Sequence, residues 1–391
     1  MENKVLNLDK SSWVLTKLGD LAKDISKRVD NPGESKYDRF VGLGNFVSGD
    51  IKIKTWETTE NLASSAKAFQ AGDILFARRN AYLRRASLVD FDGCCSGDAF
   101  VLRQNQDKVV PGFLAFLMNS NALWDYANSN AAGTMSKRVK WRDLAEYEFL
   151  LPPKDQQAQM AKLLWAMNEV IESDKKALKK LQVSKESFEK ENLVKYRSGK
   201  EIPKEFDLFK LGDIAEITGG STPSRNVKEY WNGDIPWLTP TDVTNHNQIE
   251  LSNTKEYITE AGLKNISNRI YPNGSILYCS RATIGFAIIN QVPMCTNQGF
   301  SNFIVNEKVS NYYLYFLLKH LTPELTRLAG GSTFLEISKS AIRNFKVLIP
   351  RTKTQKNIES VLLEYEKNRL KLVGKISSSQ SLQKSLINQI F

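Results

Sequence analysis

Four arginines crowd one short stretch, where Arg78, Arg79, Arg84 and Arg85 flank Asn80-Ala81-Tyr82-Leu83. Guanidinium groups clamp phosphate oxygens and make two-pronged hydrogen bonds to the edge of guanine, and a tyrosine among them suits that role. The alternative is a solvated loop with an incidental run of charge. A second basic run, Lys137-Arg138-Val139-Lys140-Trp141-Arg142, follows Gly133-Thr134 and is placed to face phosphate as it enters a helix or strand edge. A third stretch, Gly219-Gly220-Ser221-Thr222-Pro223-Ser224-Arg225, offers hydroxyls and one arginine for backbone contacts, or plain turn chemistry. Arg281 stands in the second half of the chain at the place matching the first cluster, with Thr283 beside it. That hydroxyl suits a phosphate, a thymine methyl or simply a turn. Trp231 and Trp237 read as core or turn packing rather than as stacking platforms.

Other chemistries find less support. Cys94, Cys95, Cys279 and Cys295 form no CxxC pair and, with only His246 and His320 besides, make no zinc set. They read as reduced, mostly buried thiols of a cytoplasmic protein. Phe40-Val41-Gly42-Leu43-Gly44 spells the F-x-G-x-G by which methyltransferases cradle S-adenosylmethionine, but no Asn/Asp-Pro-Pro-Tyr tetrapeptide accompanies it. There is no G-x-x-x-x-G-K-[ST] phosphate loop, no nucleophile elbow and no credible triad. Met1-Glu2-Asn3-Lys4 opens no apolar signal, and no run approaches the roughly 18 apolar residues of a membrane span, so no membrane association is expected. Lys and Arg number 54 against 43 Asp and Glu, and a net charge of +11 favours a polyanionic partner, most often nucleic acid.

The elements that must position these residues come in duplicate. Ala132-Gly133-Thr134 through Leu151-Pro152-Pro153-Lys154-Asp155-Gln156-Gln157 recurs 198 residues later as Gly330-Gly331-Ser332 through Ile349-Pro350-Arg351-Thr352-Lys353-Thr354-Gln355. Lys17-Leu18-Gly19-Asp20 returns as Lys210-Leu211-Gly212-Asp213. A period that long makes each copy a whole folding unit. With 391 residues and 41% hydrophobic content, two sizeable cores are expected. Short strand-like runs appear at Arg39 to Leu43, Asp73 to Ala77 and Ala99 to Leu102, and helical runs at Pro111 to Met118 and Asn311 to Lys319. Each copy ends in a strand, Tyr147 to Leu151 or Phe345 to Ile349, halted by proline.

A long helix follows each strand. Met160, Leu164, Met167, Ile171, Asp174, Leu178, Leu181, Lys185, Phe188 and Asn192 alternate spacings of four and three, as an a/d heptad seam does. Ile358, Leu362, Tyr365, Arg369, Leu372, Ile376, Ser379, Gln383, Leu386 and Ile390 repeat the pattern, interrupted by Gly374. Neither stripe is satisfied by its own domain, and an antiparallel pairing of the two helices is the economical solution. Separate coiled coils made with other chains are the alternative. The expected organisation is α+β, with a first domain over 1–153, a helical segment over 154–204, a second domain over 205–350 and a second helical segment over 351–391.

The second copy carries the most specific order of motifs. Thr218-Gly219-Gly220-Ser221-Thr222-Pro223-Ser224-Arg225 precedes Glu229-Tyr230-Trp231-Asn232-Gly233-Asp234-Ile235-Pro236-Trp237, then Gly274 to Gly285 with its Ala282-Thr283-Ile284-Gly285, then Thr296-Asn297-Gln298-Gly299-Phe300. This order resembles the target recognition domain of a type I restriction enzyme specificity subunit. The first copy matches more loosely, through Lys17-Leu18-Gly19-Asp20 and Ala71-Gly72-Asp73-Ile74-Leu75-Phe76-Ala77-Arg78-Arg79, and lacks the Ser-Thr-Pro-Ser opening and the Ala-Thr-Ile-Gly stretch. The resemblance covers the whole chain. It implies two similar target recognition domains separated by two long antiparallel coiled-coil helices, each domain reading one half of a split, asymmetric sequence in double-stranded DNA. It also implies docking of two methyltransferase subunits and of restriction-translocase subunits. The chain would be non-catalytic and bind no cofactor, S-adenosylmethionine, ATP and Mg being used by the partner subunits. Rival readings are the recognition subunit of another phage-defence methyltransferase system, a coiled-coil adaptor without DNA contact, and a self-contained methyltransferase.

Overall fold

A proline-stopped strand that turns at once into a long helix recurs in both halves, and one glutamine explains the geometry each time. In the computed structural model, which describes residues 8–266, 268–331 and 335–391, the first long helix runs Lys154–Asn192 and the second Thr352–Ile390. Gln157, one turn into the first, is buried; its Oε1 accepts from Val110 N at 2.9 Å and its Nε2 donates to Pro152 O at 2.8 Å. Gln355 repeats this, accepting from Ser310 N at 2.8 Å and donating to Pro350 O and Lys308 O at 2.9 Å. Ser332, the counterpart of Thr134 in the repeat, lies outside the described residues, as do Met1-Glu2-Asn3-Lys4.

The seam of the second helix follows its heptads: Ile358, Leu362, Ile376, Gln383, Leu386 and Ile390 are buried, with Tyr365, Arg369, Leu372 and Ser379 half-buried. Gly374 faces open space, since a Cβ there would meet nothing within 4 Å. The first helix departs near its start, where Gln157, Ala161 and Asn168 are buried and Met160 and Met167 only half so. The expected helical segment over 154–204 also ends early. The helix stops at Asn192 and Leu193 becomes part of a core, so 193–204 is not helical.

The chain divides into two compact units, Met1–Lys176 with Gly374–Phe391 and Ala177–Val373, so each takes in part of both long helices. In the first, Gln383 Nε2 donates to Leu164 O at 3.2 Å and Lys375 pairs with Asp174 at 2.9 Å. In the second, Ser184 and Tyr365 hydroxyls lie 2.8 Å apart and Lys185 pairs with Glu366 at 3.1 Å. The two helices therefore pack against each other within each unit. Leu164, Leu386, Ile387 and Ile390 join the core of the first unit with Trp13, Phe76, Phe116 and Trp124; Leu193, Ile358 and Leu362 join that of the second with Tyr278, Phe303 and Phe316.

The sheets of the units share a frame. Val14–Lys17 pairs antiparallel with Glu148–Leu151, as Phe206–Lys210 does with Lys346–Pro350. A second sheet runs Ala22–Asp24, Ala99–Gln104, Ile74–Ala77, Ala86–Leu88 in the first unit. Its counterpart runs Ala215–Gly219, Phe300–Val305, Ile276–Cys279, Ala287–Asn290, with Glu250–Leu251 added at the edge. The third sheets diverge. Five strands, Lys27–Val29, Ala66–Phe69, Gly93–Cys95, Arg39–Val41 and Glu57–Thr58, stand in the first unit; three, Glu256–Ile258, Trp231–Leu238 and Cys295–Thr296, in the second. The helix read over Pro111 to Met118 shrinks to Leu114–Leu117, because Gly112 takes φ +77°, in the left-handed region, before it. Asn311–His320 forms the fuller helix.

Candidate nucleic-acid interface

The arginine cluster starts where the strand Ile74–Ala77 ends. Arg78 N donates to Asp98 O at 3.0 Å, Val139 N to Arg78 O at 2.9 Å and Asn80 N to Lys137 O at 2.9 Å, lacing the strand end to Asp98 and to the loop 132–139. The second unit repeats every bond: Ser280 N to Gly299 O at 2.9 Å, Ile337 N to Ser280 O at 2.9 Å and Ala282 N to Leu335 O at 3.0 Å. Asn80 (φ 54°) and Ala282 (φ 59°) both take the left-handed conformation, which costs a non-glycine residue roughly 1–2 kcal/mol. Such a turn kept in both copies holds its place against that strain. Arg79 and Arg281 follow the strand end in each, and each forms an isolated bridge with the facing loop, to Arg138 and to Glu336 respectively.

Side chains then separate the units. In the first, Arg138 grips Asp98 through Nε (2.9 Å) and a terminal nitrogen (3.4 Å), while Arg79 reaches Ser136 Oγ at 2.7 Å and Asp98 at 3.7 Å. Arg138 holds the Asp98 carboxyl below its ordinary value, and Asp98 raises Arg138 in return. Lys67 joins them, donating to Ala99 O at 2.9 Å and lying, like Arg78, over the Phe100 ring. Lys137 and Lys140 are exposed. In the second unit, Arg281 Nε stands 3.8 Å from Glu336, and Ser280 and Gly299 occupy the places of Arg78 and Asp98.

The candidate side chains point in different directions. The four arginines are not one clamp. Arg84, itself at φ 49°, ties into the globular part through Asn121 (2.7 Å) and Asp125 (2.9 Å). Arg85 turns inward to Leu43 O at 2.9 Å, and burial lowers its pKa. Thr283 points its hydroxyl into the interior, where it faces the Cys279 thiol rather than solvent. The 219–225 stretch is pinned rather than free, since Thr222 donates to Gln298 and Arg225 makes a two-pronged pair with Glu256. Arg225 also lies over Trp231 (3.9 Å) and Trp237 (4.9 Å); Glu256 raises the pKa of Arg225, and Arg225 lowers that of Glu256. Trp237 is buried and Trp231 packs edge-on against it, as core or turn packing requires.

Sequence reading missed Asp98, Ser136, Lys67, Glu256 and Glu336, which decide what each cation can still reach. Only Glu336 carried a signal, since it is the repeat's answer to Arg138. Phe40 and Val41 lie on a strand, and the turn after them spends Gly42 N on Asn45 Oδ1 and Leu43 O on Arg85. All four cysteines are free and buried, and burial pushes Cys94 up to about 11 and Cys95, Cys279 and Cys295 up to about 12. Among the described residues no group of three or more His, Cys, Asp or Glu is placed to hold a metal, and no helix is long and apolar enough to cross a membrane.

The model of the type I restriction modification DNA specificity domain matches residues 10–183 and again 203–378. The type I restriction enzyme MjaIX specificity subunit of Methanocaldococcus jannaschii is 42% identical over 184 residues, 45% of this chain and 43% of that protein, so the match spans under half of its length. The HindI specificity subunit of Haemophilus influenzae is 22% identical over 417 residues, covering 87% of this chain and 90% of that one. The fold is similar to the crystal structure of a type I restriction-modification system S subunit from M. genitalium, with TM-score 0.64, 15% identity and coverage of 99% and 98%. A chain from a structural study of type I R-M complex assembly and conformational transition gives TM-score 0.61, 21% identity and 97% coverage of both. The chain belongs to the family of type I restriction–modification specificity subunits and carries two of its DNA specificity domains.

Proposed function

We propose that each unit reads one half of a split DNA sequence and that the chain thereby fixes which adenine its partner methyltransferase modifies. The observation that supports this best is the doubled loop pair: one backbone form, kept at the cost of a left-handed residue, presenting Arg79 and Arg138 in one unit and Arg281 and Glu336 in the other. Two frames built alike and charged differently suit two half-sites that differ in sequence. Arg78, Arg79, Lys137, Arg138 and Lys140 are the DNA-contacting candidates of the first unit, and Thr222, Arg225 and Arg281 those of the second, with cations placing the backbone and a few side chains reading base edges. Arg84, Arg85 and Thr283 act through the shape of the loop.

The two long helices form an antiparallel coiled coil on this reading, setting the gap between half-sites and docking two methyltransferase subunits, with restriction-translocase subunits joining them. Catalysis, S-adenosylmethionine, ATP and Mg belong to those partners, and the complex works on double-stranded DNA in the cytoplasm. The test exchanges residues 1–153 for the matching segment of another family member and maps methylated adenines in a host that also carries the methyltransferase. One half of the motif changes and the other stays; a motif altered in both halves, or in neither, refutes the proposal.

A further inference from the structure

At the diverging sheet of each unit an arginine lies over two aromatic rings, Arg39 from a strand of the sheet and Arg225 from a turn before it, and the two differ in what their nitrogens do. Arg225 spends both ends of its fork on Glu256. Arg39, on the strand Arg39–Val41, lies 4.6 Å from the Trp56 ring and 5.0 Å from that of Phe91, and among the described residues no hydrogen bond or ion pair engages its guanidinium. The rings are themselves fixed, Trp56 to Phe91 at 4.8 Å and Phe91 to Phe69 at 5.7 Å. A stacked guanidinium loses most of its freedom before any partner arrives, so a later two-pronged bond costs less ordering. Its five N–H donors are acceptor-hungry in a half-buried setting whose outer wall, Trp56, is 44% exposed.

Arg39 is also close to the loop cluster. Val41 O accepts from Ser96 N, two residues before Asp98, and Leu43 O accepts from Arg85. Arg39 therefore stands two residues, about 7 Å of strand, from that junction. We propose that Arg39, held over Trp56 and Phe91 with its donors unspent, reads the edge of a guanine in the half-site taken by the first unit. This rests on the reading of the chain as a sequence reader. A phosphate would satisfy the same fork, and the two are separated by whether one base position or all binding changes.

The test uses the full chain with its methyltransferase subunits and sequences methylated adenines for the unaltered protein, Arg39→Lys and Arg39→Ala. Lysine keeps the charge and the stem but not the planar fork. The expected result is that one position in one half of the motif loses preference for guanine by roughly tenfold to a hundredfold, with the other half intact. An unchanged motif in both variants overturns the inference, and so does a fall in modification at every site without relaxation of a position. If Arg39→Ala fails to fold, Arg39→Lys decides on the same criteria. An unaltered protein that yields no split motif overturns the underlying reading instead.

Discussion

The loop pair 78–80 with 132–139 and its counterpart 280–282 with 330–337 share each lacing hydrogen bond and a left-handed residue, yet they differ in charge at three corresponding positions. Arg78, Lys137 and Arg138 correspond to Ser280, Leu335 and Glu336 in the repeat, and Asp98 to Gly299. The frame depends on backbone bonds that are indifferent to side-chain identity, so chemistry can diverge while geometry stays. The third sheets diverge further, in strand number as well as in side chains.

The largest effects test the shared frame. Leu164 and Leu362 are fully buried, each in the core of its own unit, and Leu164→Ala and Leu362→Ala should each cost about 2–5 kcal/mol in denaturant unfolding of the full chain. A cost well below that in one unit would break the equivalence. Next comes the asymmetry of charge. Arg79→Ala and Arg138→Ala should each weaken target binding by the assembled complex by roughly 1–3 kcal/mol, whereas Glu336→Ala leaves affinity unchanged or tighter, as titration of a duplex would read. Equal losses on both sides would erase the distinction.

Smaller shifts sharpen it. If the complex neutralises on the order of eight phosphates, log affinity falls against log salt with a slope near −7, and Lys137→Ala with Lys140→Ala makes that slope shallower by about one per lost contact. The smallest effect is that of Asp98→Asn. Its carboxyl is held below the usual aspartate value by Arg138, so its contribution to stability is fully present above about pH 4 and disappears as pH falls through the lowered value. Thermal unfolding of the wild type and the variant should therefore differ at neutral pH and converge in acid, and a constant difference would dissociate Asp98 from Arg138.

The frame was largely written in the sequence. Proline-stopped strands, glutamines one turn into each helix and heptads of apolar residues are local signals, and the second helix obeys its heptads from Ile358 to Ile390. The site was legible only in outline, because what orients its cations lies far along the chain. Arg138 meets Asp98 40 residues away, Arg225 meets Glu256 31 residues away and Arg84 meets Asp125 41 residues away. A run of four arginines shows charge but not direction: Asn80 and Arg84, both left-handed, bracket a 3-10 turn that sends Arg79 outward and Arg85 inward. Arg39 was invisible for the same reason, since neither Trp56 nor Phe91 is near it in sequence.

The central claim is that two units of one frame read two different half-sites, and mapping methylated adenines in hosts carrying this chain with its methyltransferase tests it most directly. The unaltered chain should give two defined halves around a degenerate gap, with Arg138→Ala relaxing one half and Arg281→Ala the other. A contiguous motif, or one in which either substitution disturbs both halves together, would contradict it.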